Sequence, residues 1–197
     1  MTKYMRTAAA AALILGCVSC GDVVRTSHSP VNLLVTSLTS STGSNTVFSD
    51  VVVMVTSPAP CSAASPCPTI TADSGSATLS APMKDVSIAP TTNNQVTLNR
   101  YHVDFVRADG RNIPGVDVPF PFDGAVTATI AGNGLTSVTF DLVRHVAKQE
   151  SPLAQLVSSP NTIATIATIT FYGTDAVGNA VAASGNMTVN FGNFADK

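Results

Sequence analysis

The chain has no tryptophan, one glutamate (Glu150) and four lysines (Lys3, Lys84, Lys148 and Lys197). Charged residues supply 11% of its 197 positions, against about 25% in an ordinary soluble domain. With hydrophobic residues at 45%, so little charge excludes an intrinsically disordered chain, which needs low hydrophobicity and high charge. The shortage of Glu and Lys, both strong helix formers, beside abundant Val and Thr tilts the expectation toward strands. The formal net charge is −2, and no basic cluster offers the face that phosphate binding requires, so nucleic acid is not an expected partner. No apolar run is long enough to cross about 30 Å of hydrocarbon as a helix.

The clearest signal is N-terminal. Lys3 and Arg6 precede an apolar run of Ala8–Ala12, Leu13, Ile14 and Leu15, the layout of a secretory signal. It ends in Ile14-Leu15-Gly16-Cys17, which resembles the bacterial lipobox: an aliphatic residue at −3, a small residue at −1, then cysteine. The resemblance implies cleavage before Cys17 and acylation of that cysteine. Cys20 is the alternative acceptor, although Cys17 would then occupy the aliphatic position. A plain signal peptide with incidental cysteines is the simpler alternative. Removing residues 1–16 leaves 8 basic and 12 acidic residues, net −4. With Val18 rather than Asp after the cysteine, the family rule implies the outer membrane in a didermal host. The expected organisation is a signal peptide over 1–16, a flexible tether over 17–30 and a β-domain over 31–197.

Period-two alternation recurs along the rest of the chain and helical periodicity is nearly absent. Strands are expected over 31–38, 47–56, 69–72, 76–79, 86–88, 95–107, 125–130, 137–143, 163–172 and 180–191. The continuous apolar run 51–55 suits a strand buried on both faces. The change of parity between Leu98 and Tyr101 predicts a bulge at Asn99-Arg100. Asp109-Gly110 predicts a turn, and Pro114, Pro119 and Pro121 an extended edge or loop. Ser151-Pro152 predicts one short helix near 152–157, with the serine hydroxyl as its cap. In the last turn, Asp175 is expected to accept from turn amides and Gly178 to take positive φ.

About nine closely spaced strands argue an all-β fold, an antiparallel β-sandwich. The stretch 169–189, with Thr-Asp-Ala-Val-Gly-Asn at its turn, resembles the terminal hairpin of bacterial Ig-like domains. More loosely, residues 95–197 resemble uncharacterised bacterial envelope lipoproteins. The resemblance implies an Ig-like sandwich in one domain, without the cysteine pair and tryptophan of antibody domains, and carries no function.

Candidate chemistry is sparse. Cys61 and Cys67 enclose five residues of an exported chain and are expected to form a disulfide, since a zinc site needs four ligands and no histidine is near. His102, sharing a strand face with Asp104, and His145 are the residues a hydrolase or metal-dependent enzyme would use. A solvated strand face and a surface histidine are the simpler alternatives. No Gly-x-Ser-x-Gly elbow, EF-hand loop or phosphate-cradling loop is present, and no spacing selects a pair among Asp104, Asp117, Asp123 and Asp141. The proline-braced Phe120 and Phe122 either form an apolar ridge for a partner or tuck under the sheet edge. The reading is therefore a non-enzymatic, lipid-anchored envelope protein that binds or scaffolds another envelope component through a sheet edge, this segment or the Cys61–Cys67 loop. No cofactor or metal is expected, and the rival is a secreted enzyme using His102, Asp104 and His145.

Overall fold

The computed structural model describes residues 28–194; the expected signal peptide, Cys17 and Cys20 lie outside them. The elements in chain order are β1 (Leu34–Ser40), β2 (Thr46–Asp50), β3 (Val53–Val55), β4 (Cys67–Thr69), β5 (Asp73–Ser80), β6 (Val96–Val106), β7 (Phe122–Ile130), β8 (Leu135–Val143), α1 (His145–Gln149), a 3-10 turn (Leu153–Ser158), β9 (Ile163–Asp175) and β10 (Ala180–Gly192). A three-residue 3-10 turn, Thr92–Asn94, precedes β6. The protein is mostly β, as its composition implies. A curled three-stranded sheet runs β1-β5-β8, a five-stranded sheet runs β2-β10-β9-β6-β7, and β3 and β4 form a separate hairpin. Pairing is antiparallel except at β2, which runs parallel to β10.

Several local expectations hold for the reasons that produced them. The register of β6 shifts between Leu98 and Arg100 against both neighbours, which is the bulge that the parity change demanded. The β9–β10 turn closes on Asp175, whose Oδ1 accepts from the amides of Val177 at 3.1 Å and Asn179 at 2.8 Å, while Gly178 sits at φ +92°.

Others are corrected by local hydrogen bonding. The expected strand 47–56 breaks in two because Asp50 Oδ1 accepts the Val52 amide at 3.3 Å and turns the chain out of the sheet. Val51 alone of the 51–55 run is fully buried, and Val53 to Val55 continue in the β3–β4 hairpin. No strand forms at 86–88: Asp85 takes both the amide and the hydroxyl of Ser87, and Val86 is left 94% exposed. Between β8 and β9 there are two small helices rather than one. The second is a 3-10 turn whose cap is Pro152, not the Ser151 hydroxyl, which instead accepts from Gln155 Nε2 at 3.3 Å. The unexpected one is α1, five residues with no side-chain cap.

The core lies where the inner faces of the two larger sheets meet. Val96, Leu98, Tyr101, Val103 and Phe105 of β6, and Ala167, Ile169 and Phe171 of β9, are buried with Ala77 and Leu79 of β5 and Val138, Phe140 and Leu142 of β8. Phe140 meets both Tyr101 and Phe171 with ring centroids 5.5 Å apart. Room for that ring comes from Gly75, where a Cβ would stand 2.5 Å from Phe140 Cζ. Each such buried aromatic contributes about 1.5–3 kcal/mol by area alone.

One charged residue is part of this interior. The Lys148 side chain is fully buried, and its Nζ donates to the Asp50 carbonyl at 2.7 Å and to Asp73 Oδ1 at 3.1 Å. The Ser49 hydroxyl donates to the other oxygen of the same carboxylate. Lys148 thereby fastens α1 to the end of β2 and the start of β5. Removing one partner of a buried pair strands the other, so Lys148→Ala is expected to cost about 3 kcal/mol, measured as a lower urea midpoint at unchanged slope.

Asp175 sets an acid limit on stability. Its burial opposes ionisation, but donors from Asn179, Ser29 and Val177 outweigh that and hold the carboxyl below its ordinary value. A carboxyl depressed in the folded state stabilises above its unfolded pKa and loses that contribution as pH falls through the folded one. Thermal melts should show parent more stable than Asp175→Asn at neutral pH, the gap closing as pH falls below the ordinary carboxylate range.

Candidate functional site

Residues 107–121, between β6 and β7, form a loop that is hydrogen-bonded from within. Gly110 takes φ +80° and its amide donates to the Arg107 carbonyl at 3.3 Å. Asp109 Oδ1 accepts from the Arg111 amide and from Arg107 Nε, each at 3.1 Å. The Arg107 guanidinium, first, and the Arg111 amide hold the Asp109 carboxyl below its usual range. Asp117, nearly buried, accepts from Arg111 Nε at 3.2 Å and from the Ile113 amide at 3.3 Å. The Ile113 carbonyl in turn accepts from Asp117 at 2.8 Å and Val116 at 3.1 Å. Val118, 1% exposed, plugs the loop into the core.

This bracing leaves three large apolar side chains outside: Ile113, Val116 and Phe120, at 61%, 62% and 52% exposure. Phe120 lies across Gly115, where a Cβ would stand 2.3 Å from Phe120 Cζ. Gly115 also takes φ +75°, so glycine is required there twice over. The ring is thereby held in place although half exposed. Beside the loop opens a recess of about 600 Å³ lined by Arg107, Arg111, Asp117, Gln155, Ser159 and Asn161.

The two phenylalanines that the sequence offers as a pair therefore part company. Phe122 begins β7, is buried, meets Tyr101 edge-on at 6.2 Å and carries the Arg144 guanidinium 4.2 Å above its ring. Phe120 is still in the loop and faces out. Ile113 and Val116 are the members of the ridge that the sequence reading missed; the signal for them was their place among turn residues, where an apolar side chain has no strand face to bury it.

The grouping of His102, Asp104 and His145 that the rival, enzymatic reading would use does not assemble. His102 Nδ1 lies 3.2 Å from Asp123 Oδ1, and Arg100 Nη1 is also 3.2 Å from that oxygen. Asp104 accepts instead from the Phe105 amide at 2.9 Å, and His145 is exposed at the start of α1. Residues two apart on a strand are separated by about 6.6 Å along it, whereas directly opposite residues are about 5 Å apart, so the acid near His102 comes from β7. Register continues the row: Asp123, His102, Thr170 and Ser184 stand opposite one another on four adjacent strands, with Thr170 Oγ1 and Ser184 Oγ 2.8 Å apart. Arg100 stacks on Tyr172 at 3.9 Å. Among the described residues no three of His, Cys, Asp and Glu are grouped to hold a metal ion. The Arg100–Asp123 pair is more than half exposed on both sides, worth about 0–1 kcal/mol, so it adds little to stability.

Cys61 and Cys67 are bonded, with Cα atoms 5.4 Å apart, and the bond closes the end of the β3–β4 hairpin. Ser62 and Ser65 exchange backbone hydrogen bonds of 3.0 Å inside it.

No protein-family model and no curated protein matches this chain. Among solved structures, the X-ray structure of Northeast Structural Genomics Consortium target SoR45 is similar at 13% identity and TM-score 0.38, over 81% of this chain and 86% of that one.

Gly115→Ala separates the ridge from the fold. The added methyl must displace the Phe120 ring and strain a positive φ, with a cost of about 1–2 kcal/mol. The expected result is a small fall in melting temperature with the Phe120 ring released, visible as a change in its side-chain NMR shifts while those of buried Phe122 stay put.

Proposed function

We propose that the chain is an exported lipoprotein, acylated at Cys17, whose β-domain is a non-catalytic Ig-like sandwich that holds another component of the cell envelope. The anchor reading rests on the residues around Cys17, and Val18 after it favours the outer membrane of a didermal host. The Ig-like reading is supported by strand order. Taking β1, β5, β6, β7, β8, β9 and β10 as A, B, C, C′, E, F and G gives an A-B-E sheet and a G-F-C-C′ sheet, with β2 added beside G. Tyr101, on the strand that corresponds to C, packs on Phe140 and Phe171 between the two sheets, as the core aromatic of an Ig-like strand C would.

The observation that carries the binding role is the ridge of Ile113, Val116 and Phe120. Three exposed apolar side chains on a loop fixed from inside form a surface that loses little conformational entropy when it docks, and a central aromatic is the commonest anchor of such a contact. The polar recess beside it supplies hydrogen-bonding groups at the rim of the contact.

Protein extracted from the envelope of its own host is expected at the mass of residues 17–197 plus lipid; a lipid-free mass overturns the anchor. Cross-linking in intact cells is expected to join the protein to one discrete partner through a photoreactive residue at position 116. Val116→Ser with Phe120→Ser should weaken that association about thirtyfold or more, as loss of a hot spot does, with only a small fall in melting temperature because both side chains are more than half exposed. An association insensitive to the double substitution removes the loop as the contact.

A further inference from the structure

Residues 28–32 enter the sandwich at one end, and that point of entry is fixed. Ser29 is buried and its side chain bonds the Asp175 carboxylate. The Pro30 carbonyl accepts from the Lys84 amide and the Asn32 amide donates to the Pro82 carbonyl, each at 2.9 Å. The 81–95 connection, the β7–β8 turn and the β9–β10 turn lie at the same end, where Val96 pairs with both Ile130 and Asp175.

Apolar side chains stand out from this end, and two of them are pinned there. Asp85 Oδ1 takes the Ser87 amide at 2.9 Å and the Ser87 hydroxyl at 2.6 Å, a turn that holds Val86 outward. Val177, 70% exposed, sits at the tip of the β9–β10 turn, its amide held by Asp175 at 3.1 Å. Ile88 is exposed two residues after Val86, and Leu34 and Leu135, exposed as well, stand opposite Ser80 on either side of β5. Lys84 and Asp85 are the charged residues of 81–95, 131–135 and 176–180. The loop at the other end of β6 carries Arg107, Asp109, Arg111 and Asp117.

We infer that the end bearing Val86, Ile88 and Val177 lies against the lipid bilayer, with these side chains among the headgroups. The inference rests on the proposed acylation of Cys17. From Cys17 to His28 the chain spans at most about 40 Å when fully extended, so the anchor keeps this end near the bilayer. The composition of the end suits that neighbour. Its aliphatic side chains gain by leaving water, and one charge of each sign leaves little to desolvate. The 107–121 ridge then stands about 33 Å farther from the lipid, the length of β6, where a partner can reach it.

The chain lacks tryptophan, so a single introduced one reports on its own position. Full-length Val86→Trp and Val177→Trp proteins, extracted from the host envelope, are reconstituted into vesicles of phosphatidylethanolamine and phosphatidylglycerol, with and without bromine on the upper acyl carbons. Each is expected to shift its emission to the blue and to lose it severalfold to bromine. Tryptophan favours membrane interfaces by itself, so Val116→Trp on the ridge is the control and should show neither change. Val86→Asp with Val177→Asp, both at exposed positions, should remove the quenching of an Ile88→Trp reporter. Intact mass of the same samples reads the anchor separately. Acylated protein whose reporters at 86 and 177 are not quenched overturns the inference and leaves the anchor standing. A lipid-free mass overturns the anchor; quenching that persists then keeps the membrane face, and quenching lost with it removes both. A blue shift without quenching means that protein covers this end, and overturns the inference, as does equal quenching at 116.

Discussion

Much of the tertiary structure depends on the position of one ring, Tyr101. It stands on β6 of the five-stranded sheet, touches Phe122, Phe140 and Phe171 edge-on or tilted, and accepts the Asp141 amide of the three-stranded sheet through its hydroxyl. Burial pushes the phenol above its ordinary pKa, so the group stays a neutral hydroxyl while it bridges the sheets. The β6 bulge between Leu98 and Arg100 is what turns this ring inward. Without the extra residue, alternation from Leu98 would bring Arg100 into the core and put Tyr101 outside. Glycines complete the arrangement: Gly75 lies under Phe140 and Gly124 under Tyr101, each where a Cβ would collide with the ring.

Charge in this protein serves mainly to shape the chain. Asp50, Asp85, Asp109, Asp117 and Asp175 each accept a nearby backbone amide and fix a turn. Asp73 and Lys148 form the ion pair that ties a helix to two strands. A chain with few charges holds them where an amide or carbonyl would otherwise lack a partner, and that accounts for Asp104 and Asp117, two of the four aspartates a catalytic reading would recruit. The outer face of the five-stranded sheet is polar mostly through Thr, Ser and Asn, as the composition requires.

The loop 107–121 follows the same logic to a different end. Asp109, Asp117 and Val118 fix its interior so firmly that apolar side chains can remain outside, where a mobile loop would fold them in. That combination of a fixed interior and exposed Ile113, Val116 and Phe120 is what the proposed docking role rests on.

The sequence by itself determined the β class, the β6 bulge, the Asp175–Gly178 turn and the Cys61–Cys67 bond. Each rests on residues close together along the chain: alternation, an Asx turn, a pair of thiols six positions apart. The tertiary structure decided what depends on contacts between distant residues. It set the division of 47–56 between two sheets, the parallel pairing of β2 with β10, the burial of Lys148 against Asp73, and the choice of Asp123 over Asp104 beside His102. It also parted Phe120 from Phe122. Two residues apart in one proline-braced segment, they look alike in sequence, but β7 starts at the second and buries it while the first remains in the loop. Cross-strand neighbours lie closer than neighbours two apart on one strand, and a one-dimensional pattern carries no record of which strands will be adjacent.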